Sequence, residues 1–256
     1  MKYKTSEFEC TRTKYTIRGT QFIPEGENLP IVIVSHEFLT GEFSVHRYAR
    51  RFASWGFAAF CFDFVGGSLL SLRHRRMTVW SELEDLKAVI RYAQQRPETD
   101  KTRVYLMGCS QGGLVSALAA ARMPEEIDGL ILFYPALSIP DDARAGNMIF
   151  NTQFDTDNIP ETIKCGPFIF SGDYPKTVMD MDVFEEISKY RGKVLIIHGT
   201  GDKIVDHSYS VRAAEVYAPG KCRLVLLPKA GHIFAPVQDL PAIREMKRFV
   251  TEEFSS

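Results

Sequence analysis

Residues 104–114 read Val104-Tyr-Leu-Met-Gly108-Cys109-Ser110-Gln111-Gly112-Gly113-Leu114. An apolar run typical of a buried strand precedes the first glycine, and an Ala- and Leu-rich helical pattern follows the last. The pattern G-x-S-x-G between a strand and a helix indicates a sharp turn that lifts a serine out of the sheet. The glycines relieve the crowding that a strained turn creates. We therefore predict that Ser110 is a nucleophile at the carboxyl edge of a parallel sheet.

The same turn would place Ser110 at the N-terminus of a helix. Free N–H groups and the positive end of the helix dipole favour negative charge at such a position. The backbone N–H of Gln111 is therefore predicted to stabilise an oxyanion.

A serine hydroxyl is a poor nucleophile unless a base accepts its proton. In folds with this turn the acid and then the histidine follow the serine along the chain. Asp202 follows an apolar run at residues 193–197, and His232 follows the next run at residues 223–227. Both side chains would reach the sheet edge that carries Ser110. We predict His232 as the base and Asp202 as the acid that orients it.

Other acids and histidines fit these roles less well. Asp206 is an alternative acid, but it directly precedes a helical pattern and is better interpreted as an N-cap. His198 ends a strand and is interpreted as a structural hydrogen-bonding group, and His207 stands just inside a helix start. The remaining histidines precede the serine, against the expected order: His36, His46 and His74.

Apolar runs alternate with helical patterns along most of the chain. Strands are predicted at residues 30–35, 57–62, 103–107, 129–133, 193–197 and 223–227, and helices at 44–55, 79–95, 112–123, 207–217 and 238–253. Residues 14–22 alternate and predict an antiparallel hairpin at the sheet edge. This order predicts an α/β fold with a mostly parallel, twisted sheet covered by helices on both faces.

One stretch interrupts the alternation. Residues 137–187 are irregular, with scattered Pro, Gly, Asp and Asn, and a stretch of this length suggests a functional lid. We predict a core of residues 1–136 and 188–256, with residues 137–187 as an inserted lid after the sixth strand. These 51 positions are called the inserted segment below.

The composition argues against several classes of function. With 31 basic and 32 acidic residues the formal net charge is −1, so no nucleic acid or membrane partner is expected. The basic run at residues 73–76 is interpreted as a solvated surface. The five cysteines form no CxxC pair and no zinc-ligand pattern, so neither a metal nor a cofactor is expected. Residues 1–18 contain no apolar signal-peptide core, which favours a cytoplasmic protein.

Several motifs together resemble the cinnamoyl (feruloyl) esterases of gut and rumen bacteria, within the α/β-hydrolase superfamily. The resemblance rests on Gly108-Cys-Ser-Gln-Gly-Gly113, His198-Gly-Thr-Gly-Asp-Lys-Ile-Val205, Ala230-Gly-His232, and Met77-Thr-Val followed by Glu82 and Asp85. It covers nearly the whole chain, including an insertion of the right size and position. The triad motifs are shared by many hydrolases, so the inserted segment and the upstream loop carry the narrower likeness.

The resemblance implies a second oxyanion donor. The esterases have a His-Gly-Phe stretch after an early strand, and the chain has His36-Glu37-Phe38 there, so the backbone N–H of Phe38 would take that role. Glu37 replaces the usual glycine and is expected to narrow the loop or to place a carboxylate near the pocket mouth. A second departure is Asp63-Phe-Val-Gly-Gly-Ser68 in place of a fuller Gly-His-Gly pattern, and its effect is not predicted.

The resemblance also implies contacts to the hydroxylated aromatic ring of a substrate. Alignment of the inserted segment puts an acid at Asp142 and a tyrosine at Tyr174, while a further polar residue falls near Ile149 and would be missing. The alternative interpretation is an ordinary solvated loop acid and a packing aromatic residue.

We therefore expect a serine carboxylesterase that cleaves small hydroxycinnamate esters through an acyl-enzyme. A general short-chain carboxylesterase or a thioesterase remains an alternative, as does a catalytically silent binding module on the same fold. A peptidase fits less well, because peptidases of this architecture usually carry a large extra domain. The sequence leaves open the natural ester, the side of the ester that sets specificity, and homodimer formation.

Overall fold

Twelve strands run along the part of the chain that the computed structural model describes, residues 1–252. They are β1 (Tyr3–Arg12), β2 (Tyr15–Pro24), β3 (Leu29–Ser35), β4 (Ala58–Phe62), β5 (Thr99–Cys109), β6 (Gly129–Phe133), β7 (Asn147–Met148), β8 (Thr152–Gln153), β9 (Thr162–Cys165), β10 (Phe168–Ser171), β11 (Lys193–Gly199) and β12 (Cys222–Leu227). Eight of them form the central sheet, in the order β1-β2-β4-β3-β5-β6-β11-β12.

The central sheet is mostly parallel, as predicted. From β4 to β12 every neighbouring pair of strands is parallel. The exceptions lie at one edge, where β1 and β2 form the expected antiparallel hairpin and β2 runs antiparallel to β4. Because the strands from β4 onward are parallel, the loops after β3, β5, β6, β11 and β12 all emerge at one edge of the sheet.

Helices cover both faces of this sheet. They are α1 (Glu42–Ser54), α2 (Val79–Gln94), α3 (Gln111–Arg122), α4 (Ile139–Arg144), α5 (Asp173–Lys176), α6 (Val183–Ile187), α7 (Ser208–Val216) and α8 (Pro236–Glu252). Apolar residues of α2 and α3 belong to one hydrophobic core, and those of α1 and α8 belong to a second core on the opposite face. The α/β fold prediction is confirmed. The last residue of the predicted final helix, Glu253, lies outside the described residues.

Helix α2 begins at a capping box. The Thr78 hydroxyl accepts the N–H of Ser81 at 3.0 Å, and the Ser81 hydroxyl accepts the N–H of Thr78 at 2.9 Å. The helix then turns two acids toward the sheet, since Glu82 and Asp85 are both buried among its apolar residues. Acidic side chains are seldom buried without partners, so their contacts bear on the site described below.

The inserted segment is built from short pieces. It carries α4, α5 and α6 together with the hairpins β7–β8 and β9–β10, none longer than six residues. Elements this short explain why its sequence shows no sustained period. Phe170 and Tyr174 of this segment are buried in the same hydrophobic core as α2 and α3. Over residues 1–252 there is no helix with the length and apolar character needed to cross a membrane.

Candidate active site

Ser110 stands at the turn between β5 and α3 in a strained conformation. Its φ is 53° and its ψ is −118°, a backbone conformation that residues other than glycine rarely adopt. The turn needs its glycines, because a Cβ on Gly108 would lie 2.1 Å from the carbonyl oxygen of Gly112. A Cβ on Gly112 would lie 2.4 Å from the carbonyl oxygen of His36. The structure therefore has the strand–turn–helix geometry that the sequence predicted.

The three predicted residues of the triad meet at the edge of the sheet. The Ser110 hydroxyl lies 2.8 Å from Nε2 of His232, and Nδ1 of His232 lies 2.7 Å from Oδ2 of Asp202. With Nδ1 protonated, Nε2 is free to accept the serine proton. This is the arrangement of nucleophile, base and orienting acid that acyl transfer requires. The alternative acid, Asp206, is exposed and instead accepts the N–H of Ser208 near the start of α7.

Asp202 is held as a carboxylate by its surroundings. Burial favours the neutral acid, but hydrogen bonds from His198, His232 and the backbone N–H of Val205 outweigh that effect and lower the pKa of Asp202 below its usual range. The N–H groups of Ile204 and Val205 donate to Oδ1 at 2.8 and 3.0 Å. An ionised acid at this position would stabilise an imidazolium on His232.

The Glu37 carboxylate does not lie near the pocket mouth, so that one of the two alternatives expected for this residue was wrong. Its carboxylate is buried and accepts hydrogen bonds from the hydroxyls of Ser44 at 2.6 Å, Thr40 at 3.0 Å and Tyr134 at 3.0 Å. The side chain turns inward because these three hydroxyls offer it donors. The Tyr134 ring in turn packs against the His232 imidazole, with ring centroids 4.9 Å apart. Glu37 therefore contacts the site indirectly, through Tyr134, which packs against His232.

Both predicted oxyanion donors lie beside Ser110. Phe38, Ser110 and Gln111 line one cavity, and α3 packs so closely against the end of β3 that only glycine fits at position 112. Among the backbone bonds of residues 1–252 outside regular helices and strands, neither the N–H of Phe38 nor that of Gln111 has a protein acceptor. Two unpaired N–H groups at a serine nucleophile can bind a developing oxyanion.

The cavity in front of Ser110 has a volume of about 170 Å³. Its walls are mainly apolar, with a few polar groups contributed by the inserted segment. The residues that line it include Phe38, Ile139, Asp142, Met148, Ile149 and Tyr174. Asp142 is exposed, its Oδ2 accepts the Ser138 hydroxyl at 2.8 Å, and partial desolvation of the carboxyl raises its pKa. Both predicted substrate contacts, Asp142 and Tyr174, thus border this cavity, as does Ile149.

Three side chains next to Ser110 form a series of hydrogen bonds that the sequence did not predict. The Tyr174 hydroxyl donates to Oε1 of Gln111 at 2.6 Å, and Nε2 of Gln111 donates to Oε2 of Glu82 at 2.7 Å. All three side chains are buried. The sequence feature that could have indicated these hydrogen bonds is Glu82, an acid on the apolar face of helix α2.

One group of described residues has metal-ligand chemistry. The ligand atoms of Glu42, His46 and Cys61 lie within 4.8 Å of one another. Burial raises the pKa of Glu42 to about 7 and that of the Cys61 thiol well above its usual value, so both favour their protonated forms. The thiol points to Glu42 Oε2 at 3.8 Å, and none of the three residues lines the cavity. Glu42 and Cys61 also bond Thr20, at 3.0 and 3.5 Å, whereas Nε2 of His46 has no hydrogen-bond partner among the described residues.

Comparison with solved structures identifies proteins of the same architecture. Est1E from Butyrivibrio proteoclasticus is 26% identical, with a TM-score of 0.86 over 98% of this chain and 99% of Est1E. The structure of ferulic acid bound to Est1E matches with a TM-score of 0.89 over 97% of this chain. The resemblance to feruloyl esterases is thereby confirmed.

Two sequence comparisons agree on a serine hydrolase. The mouse (Mus musculus) acylamino-acid-releasing enzyme is 24% identical over 84% of this chain, which spans only 30% of that enzyme's length. The family model described as serine aminopeptidase, S33, matches residues 26–156, more than half of the chain. The Ser110 turn lies inside the matched region, and the chain belongs to the serine aminopeptidase (S33) family of α/β-hydrolases.

Proposed function

We propose that this protein is a serine carboxylesterase that cleaves hydroxycinnamate esters through an acyl-enzyme on Ser110. The observation that carries the proposal is the continuous array from Ser110 through His232 to Asp202, with heavy-atom distances of 2.8 and 2.7 Å, at the wall of a cavity. Membership of a hydrolase family and the likeness to Est1E support hydrolysis as the reaction class.

In the proposed reaction Oγ of Ser110 attacks the ester carbonyl while Nε2 of His232 takes the hydroxyl proton. The N–H groups of Phe38 and Gln111 bind the oxyanion of the tetrahedral intermediate. The intermediate collapses as the imidazolium protonates the departing alcohol, which leaves an acyl group on Ser110. Water, deprotonated by His232, then attacks the acyl carbonyl, and the acid is released as serine regains its proton.

The cavity supports an aromatic acyl group as the substrate class. Phe38, Met148 and Ile139 offer apolar and aromatic contact to a planar ring. The carboxyl of Asp142 can accept a hydrogen bond from a phenolic hydroxyl, because it borders the cavity and its Ser138 partner occupies only one oxygen. The ferulic acid complex of Est1E shows that a closely similar fold binds this class of compound.

A peptidase is the second candidate, favoured by the family description and by the match to the mouse acylamino-acid-releasing enzyme. Both activities would use the same nucleophile, so the substrates must separate them. Initial rates should be measured on methyl ferulate, methyl butyrate and an amino-acid p-nitroanilide, each with Ser110→Ala as the control. The proposal expects the highest kcat/KM on methyl ferulate. A preference for methyl butyrate would indicate a general carboxylesterase, and a preference for the anilide would indicate a peptidase.

A further inference from the structure

Helix α2 carries two buried acids that the proposed reaction does not use. Glu82 and Asp85 are 1% and 0% exposed, and they stand one turn apart on the face toward the sheet. Burying a carboxyl group is costly unless it gains specific partners. Glu82 is bonded to Gln111 in the turn that carries one proposed oxyanion donor, and Asp85 is bonded to Arg12 and to the loop at residues 63–68, which contacts the loop of the other.

Glu82 fixes the side chain of Gln111 on one side, and Tyr174 fixes it on the other. The amide nitrogen of Gln111 donates to Glu82 at 2.7 Å, and the amide oxygen accepts from Tyr174 at 2.6 Å. Because both ends of the amide are engaged, the side chain has one orientation available to it. The backbone N–H of the same residue is the proposed donor next to Ser110.

The other carboxyl oxygen of Glu82 supports the second donor. A Cβ on Gly67 would lie 2.2 Å from Oε1 of Glu82, so this carboxyl packs on the bare face of that glycine. The carbonyl oxygen of Gly67 accepts the N–H of Leu39 at 3.0 Å. Leu39 follows Phe38 directly, so this bond orients the peptide next to the Phe38 N–H.

The loop that contains Gly67 is held at two further points. Oδ2 of Asp85 accepts the N–H of Val65 at 2.9 Å, while its Oδ1 pairs with Arg12. Nε2 of His36 accepts the N–H of Phe64 at 3.2 Å. The sequence Asp63–Ser68, which departs from the esterase pattern, is thus the link through which α2 reaches the Phe38 loop.

We propose that Glu82 is a positioning residue that holds both oxyanion donors, Gln111 by a hydrogen bond and Phe38 through Gly67 and Leu39. Tyr174 completes the support from the inserted segment. This inference rests on the proposed function, because it assigns a purpose to the two donors of that reaction.

The charge of Glu82 fits this role. Burial, with a smaller contribution from Asp85, outweighs the hydrogen bond from Gln111 and raises the pKa of Glu82 to about 8, so the carboxyl is mostly neutral at pH 7. A neutral acid can accept from Gln111 without placing a negative charge behind a forming oxyanion. The titratable groups that face it are Asp85 on its own helix and Tyr174 on the inserted segment.

The test compares Glu82→Met, which fills the volume without an acceptor, with Glu82→Gln, which keeps a neutral acceptor for Gln111. Glu84→Gln is the matched control, because Glu84 is on the same helix and pairs at the surface with Lys87. We expect E82M to lower kcat about 10- to 100-fold with KM changed less than about threefold, since the loss falls on the transition state. We expect E82Q to stay within about threefold of wild type.

The rate of Ser110 phosphonylation by a fluorophosphonate should be measured beside ester turnover, with near-ultraviolet circular dichroism as the check of folding. Wild-type activity in folded E82M, or an equal loss in E82Q and E82M, would overturn the positioning role. If E82M does not fold, Tyr174→Phe removes only the hydroxyl donor to Gln111, and an unchanged kcat there would overturn it as well. A wild-type protein that neither turns over esters nor reacts with the phosphonate would instead contradict the proposed function.

Discussion

Nε2 of His198 lies 3.0 Å from Oδ2 of Asp202, the same carboxylate oxygen that faces His232. A carboxylate oxygen can only accept, so Nε2 of His198 donates to Asp202, and Nδ1 of His198 lies 2.7 Å from the Ser210 hydroxyl. His198 is fully buried. The acid of the proposed triad is therefore held by two imidazoles, one that would shuttle protons and one that is fixed.

Replacing His198 with leucine should weaken both folding and catalysis. The change leaves Asp202 and Ser210 buried with one partner fewer, which costs about 1–3 kcal/mol in the free energy of unfolding at pH 7. His198 helps to depress the pKa of Asp202, so the stability that the carboxylate contributes is present above its ordinary pKa of 3.8 and is lost as the pH falls. In the variant the pKa of Asp202 should be less depressed, so the loss begins near the same ordinary pKa but is smaller and is complete at a higher pH. Urea unfolding between pH 3 and pH 7 measures both effects.

His207→Ala is the control for that experiment, because His207 is partly exposed at the start of α7. It should leave the unfolding free energy within about 0.5 kcal/mol of wild type. Equal stability of the His198 variant and the control at every pH would contradict the role assigned to His198.

Restoring the usual glycine at position 37 should destabilise this protein. Glu37→Gly removes the acceptor of three hydroxyls and should lower the unfolding free energy by about 2–5 kcal/mol. Glu25→Gly, at an exposed loop position, is the matched control. Thermal unfolding of the three proteins decides the matter, and a Glu37 variant as stable as the control would show that these hydrogen bonds contribute little.

The phenolic contact assigned to Asp142 can be tested with two substrates that differ at the ring. Asp142→Ala should raise KM for methyl ferulate about 10-fold, the effect of losing one hydrogen bond to a charged group. Methyl cinnamate has no ring hydroxyl, so its KM should change less than about threefold. Asp141→Ala is the control, since Asp141 pairs with Arg144 and Tyr209. Equal changes on both substrates would remove the phenolic contact from the account.

The neutral state of Glu82 predicts a pH dependence of stability. Its pKa is about 8 in the folded protein and 4.5 when unperturbed, so only the unfolded chain releases this proton between those values. The stability that protonated Glu82 contributes is fully present below pH 4.5 and is lost as the pH rises toward 8, by up to about 1.4 kcal/mol per pH unit. Glutamine does not titrate, so Glu82→Gln should gain stability relative to wild type across this range. Urea unfolding from pH 5 to pH 8 measures this difference. If the unfolding free energies of the two proteins change with pH by the same amount, the effect is ruled out.

The central part of the fold could be predicted because each signal was local. The strand, turn and helix around Ser110 are continuous in sequence, and the apolar runs before Asp202 and His232 place both residues at the same sheet edge. The parallel order of the strands then brings together side chains that are 122 and 30 positions apart.

The supporting contacts could not be predicted in the same way. The period of α2 indicates which face is buried, but it does not reveal that Glu82 on that face meets Gln111, 29 positions away. For Glu37 the sequence offered two alternatives, a narrower loop or a carboxylate near the pocket mouth, and neither included a buried carboxylate. Its three hydroxyl partners come from a loop, from α1 and from the end of β6, and only the folded chain brings them together.

The division into a core and an inserted lid remains a prediction, and so do a cytoplasmic location, the absence of nucleic acid and membrane partners, and homodimer formation. These properties depend on partners, surroundings or motion.

The most direct test of the account is stoichiometric labelling of the protein with a fluorophosphonate, followed by peptide mass spectrometry and methyl ferulate turnover on the same sample. The account predicts one adduct per chain, on the peptide that contains Ser110, with turnover lost in proportion to labelling. It also predicts that Ser110→Ala takes up no label and loses turnover by at least about 10⁴-fold. Labelling at another residue, or methyl ferulate turnover that survives in the Ser110 variant, would contradict it.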